Sequence, residues 1–218
     1  MTYREADTDA LADLSLAIPA RSKVALVGLN GSGKTTLLMA CAGLVAHRGT
    51  ILVDGLEVTK RNLSSVRRRI GYLFSVPDDQ LLMPRVLDDV AIALRAEGVD
   101  NQQRTSRAHA MLRSLGVGDL ADRSPHELSH GQKQLVALAG ALVADPPLLL
   151  LDEPSAGIDP PARIRLAEIL SDLPSAVLLA THDLDFARRC CSEYLLLDRG
   201  RLTSRGTDFD DVLAAWNL

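Results

Sequence analysis

The stretch GLNGSGKT at residues 28–35 constrains this chain more than any other eight residues in it. It fits G-x-x-x-x-G-K-[ST], a loop whose backbone N–H groups wrap phosphate oxygens. Its surroundings agree. Lys23–Gly28 (KVALVG) reads as a buried apolar strand ahead of it, and a helix from Lys34 to about Ala42 follows. Gly28, Asn30, Gly31, Ser32, Gly33 and Thr36 make up the expected nucleotide cradle with Lys34 and Thr35. Gly31 and Gly33 let N–H groups turn inward, Lys34 reaches the β- and γ-phosphates, and Thr35 offers its hydroxyl to Mg²⁺. The bland alternative is a glycine turn with a surface lysine, and the strand-loop-helix setting argues against it.

A chain that holds phosphates this way needs acids nearby. LLLLDEP at 148–154 supplies them: four leucines form a buried strand that runs into Asp152 and Glu153. Asp152 can hold Mg²⁺ directly or through water. Glu153 can orient and deprotonate an attacking water, a contribution of roughly 10²–10⁴ in rate. The next buried strand, Ala176–Ala180, ends at Thr181 and His182. Parallel strands present their C-terminal ends on one edge, where ligands bind. His182 there can donate to a γ-phosphate, and Glu153, His182 and Lys34 are the expected catalytic residues. His47, His109 and His126 have no such placement.

The remaining elements fit an α/β chain. Leu14–Ile18, Thr50–Asp54 and Ile70–Phe74 read as strands. Helical periodicity dominates from about Ser75 to Ala144, through 86–97, 106–115 and the helix after Ser129, as an inserted subdomain would. Ala162–Leu170 is helical, Glu193–Leu197 and Arg201–Ser204 flank a turn, and Asp208–Trp216 is a short terminal helix. Strands alternating with helices imply a largely parallel sheet. At 218 residues the chain holds one large domain or a core with a subdomain, and its 3% aromatic content leaves the core to Leu, Val, Ile and Ala. The net charge of −4 argues against a general nucleic-acid binder. No apolar run approaches the ~18 residues of a membrane span, and MTYREADTDA is too acidic for a signal peptide. Cys41, Cys190 and Cys191 are odd in number and lack metal-ligand spacing, which fits a reduced cytosolic protein.

LSHGQKQ at 128–134 stands before the apolar run LVALAGALVA. Ser129 can cap a helix, with Gln132 at capping-box spacing. Gly131 is a poor helix residue, about 1 kcal/mol worse than Ala. A helix start with free N–H groups, a hydroxyl and a glycine suits an anion, and the residues alone do not say which.

The order of phosphate loop, LSHGQ, LLLLDEP, SAGID and THD resembles the ATP-binding-cassette ATPases over nearly the whole chain. LSHGQ resembles that family's LSGGQ signature, with His130 in place of the first glycine. The resemblance implies an α/β fold: a P-loop NTPase (RecA-like) core with a small N-terminal β portion and an inserted α-helical subdomain. One domain would then span 1–218, with 1–74 and 145–218 as core and 75–144 as helical subdomain. It also implies ATP and Mg²⁺, and two cassettes packed head to tail. Ser129, Gly131 and Gln132 would meet the γ-phosphate of an ATP on the partner's phosphate loop, and Asp159 of SAGID would lie across the same interface.

A finer resemblance is to the ATPases of energy-coupling-factor importers, carried by IGYLFSVPDDQLLMPRVLDDVAIAL and PHELSHGQKQLVALAGALV. It implies partners: a second ATPase subunit, with a homodimer favoured, a transmembrane coupling protein and a substrate-binding membrane protein, at the cytoplasmic face of the membrane. The substrate would be a vitamin or Co²⁺/Ni²⁺. The short FDDVLAAWNL after the hairpin would leave no room for a long C-terminal dimerisation domain, an expectation that suits the dedicated biotin, cobalt or nickel systems slightly better than the shared vitamin module.

Two departures stand out. Ser75 occupies the place of the family's usual glutamine, which reaches Mg²⁺ and the attacking water. A bridging water at Ser75 or the nearby Gln80 could make up the difference. The family also stacks an aromatic residue on adenine. Tyr3 is the candidate, about one residue out of spacing, with Glu5 competing for the slot and the usual first strand missing before it. The rival readings are a cassette ATPase acting on nucleic acid or the ribosome, an ATPase of another transporter class, and a P-loop kinase or GTPase. No heptads separate Lys34 from Ser129, the 218 residues hold a single cassette, and no NKxD motif is present.

Overall fold

A computed structural model describes residues 10–214. Strand β1 (Lys23–Val27) leads into helix α1 (Lys34–Cys41), then short strands β2 (Leu52–Val53) and β3 (Leu56–Glu57), helix α2 (Leu63–Arg67) and strand β4 (Ile70–Leu73). Three helices follow: α3 (Val86–Ala96), α4 (Asn101–Ser114) and α5 (His130–Leu142). The chain continues through β5 (Leu148–Asp152), α6 (Pro160–Asp172), β6 (Ala176–Ala180), α7 (Leu184–Cys190), β7 (Glu193–Asp198), β8 (Arg201–Gly206) and α8 (Phe209–Ala214).

The main sheet runs β4-β5-β6-β1-β7-β8. Its first five strands are parallel, and β8 returns antiparallel to β7. All five residues of β1 are buried, because helices cover both faces of a parallel sheet and remove the need for a polar side. Alternate residues enter different cores. Ala25 and Val27 pack with α3–α8 on one face, while Val24 and Leu26 pack with Leu37 and Leu38 of α1 on the other. The close fit of α5 to the sheet shows at Gly71, where a Cβ would lie 2.1 Å from the Ala141 carbonyl oxygen.

The α/β expectation holds, with local differences. Leu14–Ile18 alternates inward Leu14, Leu16 and Ile18 with exposed Ser15 and Ala17, yet it is not a strand because no neighbouring strand pairs with it. Together with Thr50–Asp54 it borders a cavity of about 650 Å³. The strand expected over Thr50–Asp54 shrinks to Leu52–Val53, closed on Leu56–Glu57 by a turn at Asp54 and Gly55 with positive φ. Helix α4 begins five residues earlier than the apolar periodicity suggests, because Asp100 caps it through Gln102 N–H and Gln103 N–H. Helices α2 and α7, five and seven residues long, are too short to show a helical period in the sequence. The β7–β8 turn has φ of 43° at Arg199 and 76° at Gly200, the positive pair that suits the twist of a tight hairpin. The terminal helix expected over Asp208–Trp216 is present as α8 up to Ala214, and the last two residues of that expectation lie outside the described residues. Among the described residues no helix is long and apolar enough to cross a membrane.

Candidate active site

The C-terminal ends of β1, β5 and β6 lie side by side in the sheet. That adjacency brings Gly28, Asp152, Glu153, Thr181 and His182 to one edge. Gly31 and Gly33 have φ of 81° and 107°, values open to glycine and strained for other residues. At Gly28 a Cβ would lie 2.3 Å from Leu197 O and 2.7 Å from Ser32 Oγ, so any side chain there would fill the cradle. The loop is braced by Ser32 N–H on Leu29 O and by Gly200 N–H on Ser32 O. Asn30 and Gly31 are exposed, Thr36 is half-buried in the first turn of α1, and the Ser32 hydroxyl is buried without a partner among the described residues. A spare donor inside a ring of N–H groups matches a phosphate.

Lys34 folds its ammonium over this loop, donating to Gly28 O at 2.8 Å and Leu29 O at 3.1 Å. Burial lowers its pKa, while Glu153 and Asp152 oppose that shift. The Thr35 hydroxyl donates to Asp152 Oδ2 at 2.7 Å. Asp152 is 2% exposed. Burial raises its pKa, the Thr35 hydrogen bond lowers it, Glu153 raises it and Lys34 lowers it. A hydroxyl and a carboxylate held together are hard oxygen donors of the kind Mg²⁺ takes. Ser75 does not join them. It is exposed, and its side chain makes no hydrogen bond among the described residues. Gln80 is long enough but points elsewhere: its oxygen accepts from Phe74 N–H at 3.2 Å and its nitrogen donates to Ala137 O at 2.8 Å. The structure therefore places neither candidate replacement for the usual glutamine at the Thr35–Asp152 pair.

Glu153 sits at φ 50°, a left-handed conformation that costs about 1–3 kcal/mol for a residue with a side chain and persists only where its surroundings enforce it. They do so here. Its N–H donates to Ala180 O at 2.8 Å. Its carbonyl accepts from Ala156 N–H and from Gln134 Nε2, each at 3.1 Å. Its carboxylate accepts from the Thr181 hydroxyl at 2.9 Å and from His182 N–H at 3.1 Å, and meets His182 Nδ1 at 2.9 Å. The network extends outward. Thr181 Oγ1 accepts from Asp183 N–H, and Asp183 Oδ2 accepts from Ser155 Oγ and Arg163.

At the start of α5 the capping box forms: Ser129 Oγ accepts from Gln132 N–H at 3.3 Å and Gln132 Oε1 accepts from Ser129 N–H at 2.9 Å. Ser129 is exposed. Gly131 lets this helix end rest on the 155–159 loop, since a Cβ there would lie 2.4 Å from Gly157 O. The His130 ring covers Gly157, where a Cβ would come within 2.4 Å of it. Asp159 is exposed and caps α6 through Ala162 N–H at 3.0 Å. Tyr3 lies outside the described residues.

The sequence assigns no role to Thr181, Asp183, Ser155, Arg163 or Gln134, although all but Arg163 stand inside its motifs. Thr181 had a signal, being a hydroxyl between a buried strand and His182. Gln134 had one too, as an amide set into an apolar helix face. The Asp183–Arg163 pair joins residues 20 positions apart on different elements, and no local pattern announces it.

A family model described as ABC transporter matches residues 11–156. A Streptomyces coelicolor protein with a general ABC transporter ATP-binding name is 42% identical over 96% of this chain and 83% of its own. The energy-coupling factor transporter ATP-binding protein EcfA of Carboxydothermus hydrogenoformans is 37% identical over 90% and 76%. Among solved structures, the ATP-binding cassette MJ0796, a dimer in a post-hydrolysis state bound to ADP and Pi, superposes with TM-score 0.86 at 26% identity, covering 94% of each chain. The protein cbiO1 of Clostridium perfringens, part of the ABC transporter complex cbiONQ, gives 0.80 at 32% identity over 94% of this chain and 85% of that one.

Proposed function

The chain belongs to the ABC transporter family of ATP-hydrolysing cassettes, and from that premise we propose that it powers an importer of the energy-coupling-factor type. The observation that carries the catalytic part is the cluster of Lys34, Thr35, Asp152, Glu153 and His182 at one sheet edge. ATP is the substrate. Gly28, Asn30, Gly31, Ser32, Gly33 and Thr36 bind its phosphates through the cradle, with Lys34 countering their charge. Thr35 and Asp152 would hold Mg²⁺, which when bound supplies charge neutralisation on the phosphate oxygens. Glu153, fixed by Thr181 and His182, takes the proton of the attacking water. His182 holds that carboxylate and turns its second ring nitrogen to the γ-phosphate. Catalysis is then positioning plus electrostatic stabilisation.

Two chains pack head to tail in this reading. The start of α5, with Ser129, Gly131 and Gln132, meets the γ-phosphate held by the partner's loop, and Asp159 lies across the same interface. Support comes from the exposed capped end of α5 and from the dimeric MJ0796 cassette. Membrane partners are a coupling protein and a substrate-binding protein, which places the chain on the cytoplasmic face. EcfA and cbiO1 among its relatives support an importer role; a vitamin or Co²⁺/Ni²⁺ as its cargo is carried by the motif resemblance alone. Affinity purification from detergent-solubilised membranes tests this. Two membrane proteins, one of them binding a vitamin or metal ion, should come down with the chain. Recovery with nucleic acid or ribosomes instead would overturn the transport reading while leaving the ATPase site intact.

A further inference from the structure

Among the buried residues of α5, Gln134 alone is polar. It is 0% exposed. Its Nε2 donates to the Glu153 carbonyl at 3.1 Å, while its Oε1 has no partner among the described residues. A buried acceptor without a donor is unfavourable, and an apolar side chain of equal length would avoid it. Packing alone therefore does not account for a glutamine here. Its donor end holds the peptide of a residue in a strained conformation, whose carboxylate is the base.

Ser129 lies five residues earlier, about 7.5 Å along the helix axis at 1.5 Å per residue. One stiff segment thus carries both the end offered to the partner's ATP and the amide that holds this chain's own Glu153. A second bond, Gln80 Nε2 to Ala137 O, ties the same helix to the loop after β4 less than one turn further on.

We propose that Gln134 is a positioning residue that couples the two ATP sites of the dimer. Engagement of α5 by nucleotide on the partner shifts the helix, and the Gln134 amide passes that shift to the Glu153 peptide, setting the carboxylate for its own site. The relay rests on the dimeric reading above. A coupling of this kind needs contacts that differ between the free and engaged states of the helix, and the single donor bond beside a spare acceptor provides a contact able to change.

The test compares wild type with Gln134→Met and Gln134→Leu, which keep the volume and remove both the bond and the orphan oxygen. Turnover against ATP concentration gives kcat, KM and a Hill coefficient, and thermal melting gives Tm. The expected result is a kcat at least fivefold lower, KM within twofold, a Hill coefficient falling from above 1 to 1, and a Tm that does not drop. Unchanged kcat and cooperativity overturn the relay. So does a parallel fall of kcat and Tm with cooperativity kept, or failure of both variants to fold, since each makes Gln134 a packing residue. Light scattering of wild type with ATP reads the dimer separately. Absence of an ATP-driven dimer sinks the dimeric reading, whereas a dimer with a wild-type Hill coefficient of 1 overturns the relay alone.

Discussion

His182 holds Glu153 at two points on one oxygen: the main-chain N–H at 3.1 Å and Nδ1 at 2.9 Å both meet Glu153 Oε1. The Thr181 hydroxyl fixes the other oxygen. A carboxylate held this way faces one direction, as a base must. Glu153→Gln keeps the size and most of these bonds but removes the carboxylate that the proposed mechanism uses as proton acceptor. Steady-state phosphate release should fall by roughly 10² or more, while ATP still binds and an ATP-bound dimer accumulates on gel filtration. Unchanged turnover would remove Glu153 as the base and turn attention to His182.

Asp152 gives a pH-dependent prediction. Burial is the main cause of its raised pKa, against a smaller lowering by the Thr35 hydroxyl. As pH rises past the ordinary 3.8, the unfolded chain loses this proton before the folded chain does. Stability therefore falls between 3.8 and the higher folded value, and the loss persists at neutral pH. Asp152→Asn has no charge to bury. It should melt at a higher temperature than wild type at pH 7, with the gap closing as pH is lowered through that window. Its Mg²⁺-dependent ATPase activity should be lost. A lower Tm for the variant at pH 7 would show that the carboxylate stabilises the fold.

Much of this site was legible in the sequence because its parts are local. A glycine loop with Lys34 and Thr35 needs only eight consecutive residues, and Asp152 and Glu153 follow directly from the strand that positions them. The capping box at Ser129 and Gln132 is a four-residue pattern, and it forms. What stayed hidden depends on chain crossings. Gln134 reaches Glu153 across 19 positions and Arg163 reaches Asp183 across 20. In the fold, apolar alternation marked Leu14–Ile18 as a strand, but a strand also needs a neighbour to bond, and alternation says nothing about that.

Ser75 and Gln80 now separate. Gln80 spends neither end on the Thr35–Asp152 pair, so a glutamine restored at position 75 should add a group the site lacks. Ser75→Gln should raise basal ATPase activity. Gln80→Ala cuts the bonds to Phe74 N–H and Ala137 O and leaves the Phe74 N–H without its acceptor, which should lower stability by about 1–3 kcal/mol in denaturant unfolding. If Ser75→Gln leaves turnover unchanged both alone and with membrane partners bound, this loop plays no part in the chemistry.

The four acids beside the helical segment, Asp78, Asp79, Asp88 and Asp89, are not equivalent. Asp89 is 6% exposed and accepts from Leu82 N–H and Met83 N–H, both at 2.9 Å. Its reversal should unfold the loop. Asp88 pairs with Arg85 and Asp78 with Lys133, while Asp79 is exposed and makes no ion pair among the described residues. Asp79→Lys is thus the cleanest probe of a basic helix on a membrane partner. It should weaken assembly of the membrane complex in pull-down and leave ATP binding and Tm unchanged. Normal assembly by both Asp79→Lys and Asp88→Lys would show that these acids do not meet a membrane partner.

The exposed Ser129 leads to the most decisive test. If it serves ATP on the partner, Ser129→Arg and Glu153→Gln should each be inactive as pure dimers. In a mixed dimer the faults fall together. The site on the Glu153→Gln loop also receives the damaged α5 end and is broken twice. The other site joins an unaltered Glu153 to an unaltered Ser129 and is whole. Random 1:1 exchange in a two-fold dimer makes about half the dimers mixed, so roughly a quarter of all sites are intact. Phosphate release should reappear on mixing, up to that fraction of wild type, and lower if the sites must fire together. A Ser129 acting on its own chain's ATP gives no rescue, because each polypeptide stays defective. Subunit exchange is followed independently with two fluorescent labels. Exchange without recovery would mean that the anion at Ser129 is not the partner's γ-phosphate.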